Sequence, residues 1–346
     1  MSRIARVAAG LVQPLLVTKG VNVRYLTGLE SSNAAVLVEP SGEATVYTDF
    51  RYAEAARTIE GVSFTETRRH VIGALAELLS GRAVGFEAEH VSFAAHEALL
   101  GGGVGLTPTR GVVEAARAVK DEDELRAMRA AAALSDRVFG ELADDRFVGR
   151  TEAELVWQID RRFRELGASA SAFDTMVGFG EMGARPHGHP RDVPIPEGTL
   201  VVVDAGCVVD GYCSDCTRTF FTGEPEGRRR ELYDLCLRAQ LDGLAAVGPG
   251  ASGRDVDAAS RVAIEEAGLG ALYGHGLGHG VGLEIHEAPV LRPESEDVLV
   301  SGNTVTVEPG LYVAGEVGVR IEDLVLVTED GCERLTTLPK DPVVVG

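Results

Sequence analysis

Residues 201–220 read VVVDAGCVVDGYCSDCTRTF. A β-branched run leads into Asp204. Eleven residues on, Asp215 stands just before a second strand-like run, TRTFF. The pattern recurs further along, where TVTV leads into Glu308 and VRI into Glu322. An ionised carboxylate is costly to take out of water, so an acid inside an apolar strand carries a partner or a metal. Any one of the four reads most simply as a strand-end residue paired with a backbone N–H or an arginine. Four in one stretch of chain, near a histidine-rich segment, point instead to a shared ion site. An oxygen-rich donor set with one imidazole suits hard or borderline divalent ions such as manganese or cobalt. Four carboxylates would be neutralised by two such ions, which can share a hydroxide and clamp a tetrahedral intermediate.

The histidine-rich segment is GHGLGHGVGLEIHE, residues 274–287, with His275, His279 and His286. A three-histidine zinc site is the quick reading of this trio. His187 and His189 stand together in RPHGHP, while His70, His90 and His96 are scattered in the first half and expected at the surface. Gly276, Gly278, Gly280 and Gly282 alternate around His279, which suggests close backbone approach and unusual φ values. No Lys-Ser/Thr pair follows them, which argues against a phosphate loop.

Composition narrows the class. A chain of 346 residues is long for one core and suggests two domains. The formal charge of -20 disfavours a nucleic-acid partner, because phosphate binding needs basic surface. The charge is uneven: residues 1–117 hold 11 basic against 12 acidic side chains, leaving 22 against 41 for the rest. No apolar run reaches the roughly 20 residues needed to span a bilayer. A signal peptide at the N-terminus is conceivable, but its apolar run is broken by Gln13 and Pro14. Five cysteines, an odd number, suggest no disulfide framework and fit a reduced, cytoplasmic chain. Cys213 and Cys216 form a CxxC, but in a strand-like context rather than at the start of a helix, and read as buried thiols.

Patterning predicts an α/β first domain, with strands at Asn22–Leu26, Ala34–Val38, Ala44–Thr48 and Ala83–Phe86. Helices fit Arg51–Ile59, Val71–Leu79 and Ala94–Leu100, and LTPTRG reads as turns. Asp121-x-x-Glu124 and Thr151-x-x-Glu154 open two helices as caps, and Ser252-x-x-Asp255 opens another after a helix near Arg228–Val247. The strands interleaved with these helices make the second half an α+β domain. The boundary is expected near residue 118, giving domains 1–118 and 119–346.

The ordered blocks VVVDAG, GYCSDCTRTF, GHGLGHGVGLEIHE, VEPGLY and GVRIED resemble the pita-bread metallopeptidases, in particular the Xaa-Pro aminopeptidase and prolidase branch. NVRYLTGLESSNAAVLV resembles the early strands of that family's creatinase/prolidase-type N-terminal domain. The resemblance implies an α/β N-terminal domain and an α+β pita-bread catalytic domain. It implies five metal ligands, Asp204, Asp215, His279, Glu308 and Glu322, with Asp215 and Glu322 bridging two divalent ions. Manganese is the first expectation, cobalt and zinc the alternatives. Glu308 would take the proton of the bridging water, and His187 and His286 would donate to the substrate and its developing oxyanion. His275 would line the substrate site or support it from behind, and Arg320 would orient ligands. Tyr212 would face the cleft or pack against the sheet.

The activity so implied is removal of an N-terminal residue from a peptide, where proline follows, by a homodimeric enzyme. The rivals are a prolidase restricted to Xaa-Pro dipeptides, a related hydrolase indifferent to proline, and a non-catalytic binding module. Arg292 is a candidate to hold a dipeptide's free carboxylate. Glu181 and Met182 depart from the family's pattern before the Pro-His pair.

Overall fold

A computed structural model describes residues 1–186 and 188–346. Contacts divide them into two units, Met1–Arg117 and Ala118–Gly346. No helix among the described residues is long and apolar enough to cross a membrane.

The first unit is built on a six-stranded mixed sheet in the order Ser63–Thr67, Ala44–Asp49, Ala34–Val38, Leu15–Val17, Ala83–Glu87, Gly105–Thr109. Ala34–Val38 is buried at every position, so its apolar run is continuous rather than alternating. Two expectations fail here. The expected strand Asn22–Leu26 is part of a helix, Gly20–Thr27. Val23 and Leu26 lie three apart on its buried face, and Gly28 at φ 73° ends it by donating to the Arg24 carbonyl. Glu87 tips the balance against β propensity: its Oε2 accepts from the Thr18 and Lys19 N–H groups just before the helix, and its Oε1 from Asn22. The expected turns of LTPTRG contain a strand, Gly105–Thr109, which pairs in parallel with Ala83–Glu87 at the sheet edge. Pro108 is tolerated there because an edge strand leaves one side without ladder donors.

In the second unit Asp121 and Thr151 form complete capping boxes with Glu124 and Glu154, opening helices Glu122–Ala143 and Glu152–Glu165. Helices Gly227–Ala246 and Gly253–Glu266 follow. The strands between and after them pair antiparallel: Met176–Phe179 and Thr217–Phe221 flank Leu200–Asp204, and Thr304–Val307 pairs with Asp323–Val327. Val201 and Val203 pack on Phe139, Leu155, Ile159 and Phe163 from the first two helices. Leu200 and Phe221 pack with Leu232, Tyr233 and Cys236 from the third. Apolar cover of this kind gives about 1.5–3 kcal/mol for each large side chain withdrawn from water. Asp204 ends Leu200–Asp204, Glu308 directly follows Thr304–Val307, Glu322 directly precedes Asp323–Val327, and Asp215 stands two residues before Thr217–Phe221.

Candidate metal centre

The step from Asp204 to Asp215 is a hairpin. Strand Cys207–Val209 runs out, Asp210 and Gly211 turn with φ of 49° and 86°, and Tyr212–Cys213 runs back. Both central residues at positive φ make the tight turn favoured by Asp-Gly. Gly206 lets the two ends meet, since a Cβ there would lie 2.0 Å from the Ser214 carbonyl oxygen. Asp204 ends its strand opposite Thr217. Glu322 is held beside them by its N–H, which donates to the Thr217 carbonyl. Asp204, Asp215 and Glu322 each offer an oxygen within 4.8 Å of the others.

His279 and Glu308 complete the cluster. His279 Nε2 lies 3.2 Å from Glu308 Oε1 and 3.7 Å from Asp215 Oδ2. The Glu308 N–H donates to the Leu277 carbonyl, and the His279 N–H to Thr306 Oγ1, so the two segments are laced together. Gly278 makes that approach possible: a Cβ there would sit 2.1 Å from the Thr306 carbonyl oxygen. Crowding, rather than unusual φ, is what this glycine answers; Gly276, Gly278, Gly280 and Gly282 are absent from the positive-φ positions.

The donors suit a divalent ion. Asp204 Oδ2 accepts from Arg320 and Glu322 Oε2 from Thr217 Oγ1 at 2.7 Å, while Asp204 Oδ1 and Glu322 Oε1 are buried without any hydrogen bond. One oxygen of each carboxylate is thus anchored and the other left bare, an arrangement that would be costly unless an ion meets it. His279 Nδ1 bonds the Gly280 carbonyl, which can only accept, so Nδ1 carries a proton in either charge state of the ring and Nε2 is the nitrogen that would meet an ion once it gives up its own. Without ions the charges conflict. Burial, then repulsion from Glu322, Asp204 and Glu308, raises Asp215 well above the usual carboxylate range. Burial followed by Glu308 and Asp204 does the same to Glu322. Burial would raise Glu308 too, but the hydrogen bond and charge of His279 bring it to about 2.

Arg320 is buried beside Asp204. Its Nε donates to Thr217 and its guanidinium also reaches Tyr312 Oη at 2.9 Å. Tyr312 Oη lies 3.0 Å from His275 Nε2, and His275 Nδ1 bonds the Gly276 carbonyl at 2.7 Å. Nδ1 therefore holds the proton and Nε2 accepts from the tyrosine. Burial lowers the His275 pKa, which keeps this imidazole neutral. His286 is exposed, with its ring edge-on to His279 at 4.3 Å between centroids. The trio is not a three-histidine site: His275 is engaged with Tyr312, and His279 faces the carboxylates.

His187 lies outside the described residues. Tyr212 does not line a cleft as one expectation had it. It is buried with Leu125, Met128 and Val281, and its hydroxyl donates to Glu124 at 2.9 Å, so it supports the packing of helix on sheet. The cysteines are free; burial pushes the Cys213 thiol up to about 12 and raises Cys216, which leaves them inert.

Sequence reasoning missed four supporting residues. Thr217 and Thr306 hold carboxylates, and their register opposite or near an acid was the available signal. Tyr312 follows Glu308 by four residues in the quoted VEPGLY. Arg261, paired with Asp257, donates to the His275 carbonyl, while Asp257 accepts from the Leu277 N–H. That brace comes from the helix Gly253–Glu266 just before the histidine-rich segment, and nothing in the pattern of that helix marks it.

Converging strand-end carboxylates, one imidazole and a two-unit α/β and α+β architecture define a metallopeptidase of the pita-bread fold. The chain belongs to metallopeptidase family M24, which residues 126–329 match, and residues 6–119 match the creatinase/prolidase N-terminal domain. It is 34% identical over 341 residues to an uncharacterized peptidase of Bacillus subtilis, covering 96% of each chain. Among solved structures it resembles an Xaa-Pro dipeptidase from Bacillus anthracis, with 35% identity, TM-score 0.95 and 99% of each chain covered. It also resembles an X-Pro aminopeptidase from Thermotoga maritima, with 31% identity, TM-score 0.88 and coverage of 96% of this chain and 97% of the other.

Proposed function

We propose that this metallopeptidase hydrolyses the peptide bond between an N-terminal residue and a following proline, using two divalent ions held by Asp204, Asp215, His279, Glu308 and Glu322. The observation that carries the proposal is the pair of bare, buried oxygens on Asp204 and Glu322, set against anchored partners. When bound, the ions would supply a polarised carbonyl and a water acidic enough to attack it at neutral pH.

This chain's own residues do the rest. Glu308 Oε1 accepts from Thr306, which orients the carboxylate so that Oε2 could take the proton of the attacking water. His286, exposed beside His279, would donate to the oxyanion that grows on the scissile carbonyl. His275 has both ring nitrogens engaged, and so offers the substrate a neutral ring surface rather than a proton. Proline requires such shape recognition because its nitrogen carries no N–H in the scissile bond. Arg320 and Thr217 hold the ligand oxygens in place.

A second reading, a dipeptidase rather than an aminopeptidase, is favoured by the likeness to a dipeptidase structure over nearly the whole chain. It also has a candidate cation. Arg292 is exposed, and its backbone packs against Gly276, next to His275. A panel with manganese added would compare Xaa-Pro dipeptides, longer Xaa-Pro peptides and Xaa-Ala controls. Turnover of Xaa-Pro substrates well above Xaa-Ala is expected. Equal rates on the alanine series would overturn the proline reading, and activity confined to dipeptides would decide for the second.

A further inference from the structure

A buried ion pair beside the histidine-rich segment has no role in the chemistry above. Lys120 Nζ donates to Glu287 Oε1 at 2.7 Å, with the two side chains 1% and 5% exposed. A pair this deep gives little net stability, since the cost of desolvating both charges offsets their attraction. Its location supplies a different reason for it.

Glu287 directly follows His286 and begins the strand Glu287–Leu291. That strand pairs with the one carrying His279, but the register slips. His279 stands opposite Val290, whereas its neighbour Gly280 stands opposite Glu287. Gly280 and Glu287 therefore form the neck of the loop 281–286, which ends in His286. The Glu287 carboxylate lies flat on this loop: a Cβ at Gly282 would come within 2.3 Å of Oε1. Lys120 is itself held, its N–H donating to the Gly302 carbonyl at 2.9 Å and its Nζ reaching the Ala118 carbonyl at 3.5 Å. The His286 ring is exposed and meets the His279 ring edge-on, and the backbone of residues 286 and 287 carries it there.

We infer that Lys120 is a positioning residue: through Glu287 it fixes the neck of the 281–286 loop and thereby aims His286 at the substrate. The inference rests on His286 acting on substrate, as proposed above. It is tested on the manganese-loaded full chain with an Xaa-Pro dipeptide, comparing Lys120→Met, His286→Ala and the double variant. Lys120→Met should lower kcat roughly ten- to hundred-fold, as small misplacements of a reacting group do, with bound manganese unchanged. In the His286→Ala background the same change should cost nothing further. Equal loss in both backgrounds would reduce the pair to general structure and overturn the inference. Full activity of His286→Ala alone would instead refute the role of His286, and the inference with it. If Lys120→Met does not fold, the paired change Lys120→Met with Glu287→Met, which removes the contact and leaves no buried charge unpaired, carries the same cycle. Independently of residual activity, the ring Cε1–H resonance of His286 in the metal-free protein should move in Lys120→Met; an unmoved signal overturns the inference.

Discussion

Removing and restoring the divalent ions should change stability by an amount the site itself bounds. Without ions, Asp204 Oδ1 and Glu322 Oε1 are buried and unmet, and each such group costs about 1–3 kcal/mol. An ion that binds only the folded chain stabilises it by about 2.7 kcal/mol at a hundredfold excess over Kd. For a domain of the size of residues 118–346, about 1 kcal/mol moves Tm by roughly 2–4 °C, so each bound ion should raise it by roughly 5–11 °C. Asp215→Asn separates this from nonspecific salt effects. The Asp215 pKa is raised by burial and then by Glu322, Asp204 and Glu308, so the folded chain holds that proton more tightly than the unfolded chain. Its contribution is therefore lost as pH rises from about 4, the ordinary carboxylate value, through the folded value. At pH 7.5 metal-free Asp215→Asn should be at least as stable as metal-free wild type, with the difference shrinking toward pH 4. The same variant should lose most of the manganese-dependent rise. Differential scanning fluorimetry of chelator-treated and manganese-loaded protein measures all four values. A wild-type Tm indifferent to manganese, or a variant with the full rise, would refute the reasoning.

Two further outcomes follow from the same geometry. Glu322→Ala should abolish turnover of an Xaa-Pro dipeptide and reduce bound manganese measured by elemental analysis; near-normal activity would contradict the site. Gly278→Ala would force a Cβ against the Thr306 carbonyl oxygen and displace His279, an overpacking that costs about 1–3 kcal/mol. A manganese titration should show weaker binding and a lowered Tm, and unchanged values would mean the strands can part freely.

The acids were legible because of where they stood. Asp204, Glu308 and Glu322 interrupt or end strongly apolar strand runs, and burial makes a lone charge there too costly to be incidental. The capping boxes at Asp121 and Thr151 were legible for a similar reason, since local chemistry suffices to set them. The helix Gly20–Thr27 was not: its residues favour a strand locally, and Glu87, more than sixty positions away, supplies the acceptor that anchors its start. Tyr212 was left between cleft and sheet because hydropathy cannot say which side of a short hairpin faces a cleft; Glu124 decides it.

By itself, then, the sequence determined the two-unit plan, the donor types and the order in which the acids occur. Only the tertiary structure decided how the three histidines divide. Tyr312 occupies His275, Gly280 orients His279, and the neck at Gly280 and Glu287 carries His286. The physical reason is range: a carboxylate's desolvation cost shows in its immediate neighbours, whereas an imidazole's role depends on which acceptor meets each nitrogen. Those acceptors come from strands and helices that meet only when the chain has folded.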